Sequence, residues 1–116
     1  TWLAALRGCK AALLNPAIDP ARDLAKYIGE QSAWHDPAER FYFSPEFVDE
    51  LRALEVGPMP RPELVWTLIA KGDEVLDWRE MTAHYTGARI KLLAQGDHAL
   101  TDYAQHLDEV LEFAGL

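Results

Sequence analysis

Leu64-Val65-Trp66-Thr67-Leu68-Ile69-Ala70 is an apolar run with a single polar residue, Thr67, and the turn Lys71-Gly72-Asp73-Glu74 follows it. A short apolar run without alternation, bounded by a glycine turn, reads as a strand buried on both faces. Such strands belong to parallel sheets, whose crossover helices cover both sides. Downstream, Asp77 and Glu80 form a cap pair for a helix that carries Trp78, Met81 and Tyr85 inward and closes at Gly87. Arg89 to Ala94 is a further strand. Its first half alternates polar and apolar residues, which places it nearer a sheet edge. The turn Gln95-Gly96-Asp97-His98 comes next. Thr101 then caps a last helix with an apolar stripe of Tyr103, Leu107, Val110, Leu111 and Ala114, stopped by Gly115.

Upstream, Cys9 to Leu14 reads as a buried strand ended by Asn15-Pro16. Asp19 caps a helix with Pro20 at its first position. Ala21, Leu24, Ala25 and Ile28 give that helix its apolar face, and Gly29 ends it. Glu30 to Phe43 has no clear period and reads as a loop. Ser44-Pro45 opens another helix, with Phe47, Val48, Leu51 and Leu54 on one side. The prolines of Gly57-Pro58-Met59-Pro60-Arg61-Pro62 require an extended connector. Thr1 to Gly8 reads as the last turns of a helix, with Arg7 near its negative end and Gly8 as the cap. Thr1 is either that helix's own cap or a point inside a helix begun earlier.

The order is strand, helical insert, strand, helix, strand, helix. It predicts an α/β fold: a three-stranded parallel sheet with flanking helices and right-handed crossovers. Residues 16–62 form the helical insert, expected over one side of the sheet or near its carboxyl edge. Residues 63–116 form the strand-helix-strand-helix part, and 1–116 make one partial domain.

The 116 residues are 49% hydrophobic and 26% charged, ordinary for a globular chain that buries one small core. The net charge of -8 disfavours nucleic acid and anionic membranes as partners. No apolar run reaches the roughly 20 residues of a membrane span. The lone Cys9 reads as a small buried hydrophobe, in keeping with a cytoplasmic location.

In a parallel sheet, chemistry collects at the carboxyl ends of the strands. Two strand-ending turns carry ionisable groups there, Gly72-Asp73-Glu74 and Gly96-Asp97-His98. If their strands are neighbours, the two ends lie ~5 Å apart, and the Asp73 carboxylate can reach the His98 imidazole. Such a pairing holds a histidine in one tautomer for general-base work on a nucleophile. The plainer reading makes both turns polar punctuation. The order acid before histidine is the one that α/β-hydrolases use. Asp73, Glu74 and Asp77 could instead hold a divalent cation, but no second ligand cluster supports this, and Asp77 is better read as a helix cap. His35, His84 and His106 read as solvated or half-buried side chains. No GxGxxG or Walker loop is present, so no cofactor is implied. Neither Ser32 nor Ser44 lies in a GxSxG elbow.

The segment from Leu64 to Arg79, with its Gly72-Asp73-Glu74-Val75-Leu76-Asp77 core, resembles the YqiA/YcfP-like esterases, a small α/β-hydrolase family. Gln95-Gly96-Asp97-His98-Ala99-Leu100 resembles that family's G-x-H-[AS]-F turn, with Leu100 where an aromatic is usual. Asn15-Pro16-Ala17, Tyr27-Ile28-Gly29-Glu30 and Glu112-Phe113-Ala114-Gly115-Leu116 are similar as well. The resemblance implies that Asp73 is the triad acid and His98 the triad base. It also implies that the serine elbow and the oxyanion donors precede Thr1. The expected activity is then that of the carboxyl-terminal part of a serine-type carboxylic-ester or thioester hydrolase, with a small acyl-ester or thioester substrate. The alternative is a non-catalytic module that self-associates, as a homodimer or larger species, through the open edge of the Cys9–Leu14 strand.

Overall fold

The computed structural model describes residues 1–116, which divide into two compact units, Thr1–Ile18 with Val56–Leu116, and Asp19–Glu55. The first unit is built on a three-stranded parallel sheet in the order β1 (Ala11–Leu14), β4 (Val65–Ala70), β5 (Arg89–Leu93). β4 is central, and no residue of it is more than 1% exposed. That burial is why its sequence is apolar throughout rather than alternating. Trp66, Leu68 and Ala70 share one side with Leu100, and Leu93, Tyr103, Val110 and Phe113 pack against this cluster. Val65, Thr67 and Ile69 face the other way and are equally buried.

Helix α1 (Trp2–Arg7) ends on Gly8 in the left-handed conformation. Thr1 makes no side-chain cap bond; its hydroxyl is 2.7 Å from the Tyr85 hydroxyl. Burial pushes the Tyr85 phenol up, and that hydrogen bond partly opposes the shift. Helix α4 (Trp78–His84) joins β4 to β5, with Asp77 accepting the backbone N–H of Arg79. It closes at Tyr85 rather than at Gly87. Helix α5 (Leu107–Ala114) ends on left-handed Gly115, as the sequence predicts.

Several expectations need correction. Cys9 is exposed, because β1 begins two residues later and Cys9 lies in the link after the Gly8 cap. Thr101 caps no helix, since its N–H and hydroxyl both bond to Asp97; a 3-10 turn over Tyr103–His106 leads into α5 instead. The inward side of that helix is Val110 and Phe113, while Leu107 and Leu111 are exposed. His106 is buried. Neither ring nitrogen of His106 has a hydrogen bond, although Nε2 lies 3.5 Å from Asp102 Oδ2.

The second unit contains α2 (Pro20–Leu24) and α3 (Pro45–Ala53), capped by Asp19 and Ser44 as expected. The first helix is shorter than its apolar spacing predicts. It passes into a 3-10 turn over Ala25–Tyr27, and Gly29 opens a strand instead of ending the helix. The expected loop from Glu30 to Phe43 is an antiparallel hairpin of β2 (Gly29–Ser32) and β3 (Arg40–Phe43). An Asp36 turn, in which its side chain accepts the Ala38 N–H, folds the connection back. No helix in either unit is long and apolar enough to cross a membrane.

Candidate active site

β4 and β5 run in register to their carboxyl ends, where Ala70 faces Leu93 and Lys71 N–H donates to Leu93 O at 3.0 Å. The turns that follow are therefore launched side by side. They are pressed together at two glycines. A Cβ built on Gly72 would fall far inside van der Waals contact of the Gly96 carbonyl, and Gly96 itself adopts a φ of 100°. Only a residue without a side chain fits at position 72.

This close approach sets the next residues against each other. Asp73 Oδ2 lies 2.8 Å from His98 Nδ1. Asp73 Oδ1 accepts the N–H groups of Val75 and Leu76, each at 2.8 Å, so its carboxylate is fixed from both sides. The Asp73 side chain is 0% exposed, whereas the His98 side chain is 40% exposed. A carboxylate only accepts, so Nδ1 carries the proton, and Nε2 presents its lone pair away from Asp73. Nε2 makes no hydrogen bond to the protein. The backbone of His98 is held as well: its N–H donates to Glu74 Oε2 at 3.1 Å, and its carbonyl accepts from Asn15 Nδ2 at 3.1 Å. Asp97 braces the same turn. The Thr101 N–H, and secondarily the Thr101 hydroxyl, hold its carboxyl below the ordinary range.

Asp73 and His98, the candidates named from the sequence, are thus in direct contact. Glu74 and Asp77, grouped with Asp73 as a possible cation site, are engaged separately, on His98 N–H and on the cap of α4. His35 is exposed beside Glu39, and His84 packs edge-on against Tyr85. Ser32 lies in the hairpin, and Ser44 caps α3. Sequence reasoning missed Asn15, which ties the site's turn to the end of β1. The available signal was an amide residue standing alone at the carboxyl end of an apolar strand. Within the Asp19–Glu55 unit, Leu24, Tyr27, Phe41 and Phe43 line a mainly apolar cavity with Gln31 and Ser32 at its polar part.

Two neighbouring strands of this parallel sheet thus lead into turns that carry a buried carboxylate and a half-exposed imidazole, acid before histidine in the chain. The chain belongs to the Uncharacterised protein family (UPF0227), the YqiA/YcfP-like esterase family, which matches residues 1–115. Its fold is similar to that of a crystal structure described as a "Putative hydrolase from Agrobacterium vitis S4", with a TM-score of 0.65 and 19% identity. The match covers 91% of this chain and 49% of that one, so the chain spans about half the length of that relative.

Proposed function

We propose that these residues supply the acid–base part of a cytoplasmic serine-type hydrolase acting on carboxylic esters or thioesters. His98 is the general base and Asp73 its orienting acid. The observation that carries this reading is the 2.8 Å contact between Nδ1 and a carboxylate withdrawn from water, with Nε2 left open. A serine hydroxyl placed at Nε2 would give up its proton to His98 as its oxygen attacks the acyl carbon. His98 would then return that proton to the departing alkoxide or thiolate, and water would repeat the exchange to release the acid. Burial of the Asp73 carboxylate strengthens its hold on the imidazolium formed in each step.

Neither serine of this sequence lies in a GxSxG elbow, Ser32 being a hairpin residue and Ser44 the cap of α3, so the reading requires a nucleophile from outside residues 1–116. The test is to label the complete protein with a fluorophosphonate while following turnover of a short-chain aryl ester. One serine outside these residues should be labelled, and labelling should abolish turnover. A reactive Ser32 or Ser44, or turnover that survives complete labelling, would reject the proposal.

A second reading, self-association, draws on the free side of the sheet. β1 pairs only with β4, and Leu14, Trp2, Leu3 and Leu6 are exposed. An unpaired strand edge is a template for another strand, and exposed apolar side chains favour association. The 116-residue chain expressed alone is expected to form dimers or larger species in light scattering. A monodisperse monomer would remove this reading.

A further inference from the structure

Asn15 is a buried residue at the end of β1 whose side chain bonds the last residue of β4 and the turn that follows β5. It follows the last residue of β1, and its own N–H extends the ladder by donating to Leu68 O at 2.9 Å. Beyond that point the side chain takes over. Oδ1 accepts the N–H of Ala70 at 2.8 Å, at the end of β4. Nδ2 donates to the carbonyls of Asp97 and His98 at 3.0 and 3.1 Å. The residue is 4% exposed and holds a φ of 39°, a left-handed conformation that asparagine tolerates better than most side chains.

We infer that Asn15 is a positioning residue for His98: its amide clamps the carbonyls on both sides of the His98 Cα and so fixes the direction in which the imidazole leaves the backbone. This deepens the proposed function and rests on it for its catalytic consequence. The Asp73 contact alone fixes one ring nitrogen, and the ring can still swing about that contact if the peptide carrying it moves. The Glu74 bond restrains the N–H side, but from an exposed carboxylate. Asn15, itself 4% exposed, restrains the carbonyl side from the buried end of β1. Its two donors are what that side requires, because both groups there are acceptors.

Asn15→Asp separates this role from simple packing. Aspartate has nearly the same shape, tolerates the left-handed backbone and keeps an oxygen for Ala70 N–H. It presents an acceptor to two carbonyls where donors stood. In the complete protein the variant should keep its far-ultraviolet circular dichroism and a KM within about twofold, while kcat for a short-chain aryl ester falls about 10- to 100-fold. The downfield proton resonance of His98 Nδ1–H should broaden or disappear. A lowered melting temperature with kcat and that resonance unchanged would overturn the inference. If the variant does not fold, Asn15→Gly, which accepts the same φ without strain, is read in the same way. The unmodified protein gives a further check: the two Nδ2 protons should exchange with solvent as slowly as His98 Nδ1–H, and fast exchange would overturn the clamp. The Nδ1–H result also separates the two claims. If it changes in Asn15→Asp while the unmodified protein turns over no ester, the clamp stands and the hydrolase reading falls.

Discussion

His98→Ala in the complete protein is expected to lower kcat for a short-chain aryl ester by about 10⁶-fold, with little change in KM. The substitution removes the group that takes the serine proton, an interaction absent from the bound ground state, so the loss falls on kcat. Stability should change little by comparison, because the ring is 40% exposed and its principal bond is to a carboxylate held independently by two backbone N–H groups. The measurement is a steady-state rate beside a thermal melt of the same preparation. Turnover within a fewfold of the unmodified protein would reject His98 as the base, whatever the geometry at Nδ1.

Gly72→Ala should damage structure and activity together. The added methyl group meets the Gly96 carbonyl oxygen, a backbone atom with no rotamer to escape into. One turn must therefore move away from the other. Overpacking of this kind costs about 1–3 kcal/mol, and each kcal/mol lowers the melting temperature by roughly 2–4 °C in a protein of 150–250 residues. The movement occurs one residue before Asp73 and two before His98, so the carboxylate–imidazole contact lengthens and kcat falls as well. Gly57→Ala is the matched control, since a Cβ there meets nothing within 4 Å. It should melt and turn over like the unmodified protein. A Gly72→Ala protein indistinguishable from that control would show that the turns are not in contact in solution.

The parts of the fold legible in the sequence are those whose cause is local. β4 is readable because complete burial leaves only one acceptable chemistry along it, and the run from Val65 to Ala70 has that chemistry. The caps at Asp19, Ser44 and Asp77 are readable because each serves N–H groups within three residues. The hairpin is not. Gly29-Glu30-Gln31-Ser32 has no strand preference of its own and becomes a strand only by pairing with Arg40-Phe41-Tyr42-Phe43. Thr101 has the right chemistry for a cap, but Asp97 takes both its N–H and its hydroxyl. For the candidate site, two strand-ending turns in the order acid before histidine, together with the family resemblance, name Asp73 and His98 as a pair provided that their strands are neighbours. The glycine contact that sets their spacing and the Asn15 clamp were hidden, because both depend on backbone groups brought in from other strands.

The links around His98 differ in the length of chain they enclose. Asp73 and His98 are 25 residues apart, whereas Asn15 reaches across 82 and 83 residues to the same turn. Closing the longer loop costs about 1 kcal/mol more in chain entropy by the logarithmic law. The carboxylate–imidazole pair is therefore closed across a single crossover, from β4 through α4 to β5. The backbone restraint from Asn15 needs β1 in place as well, so the contact and its restraint draw on different lengths of chain.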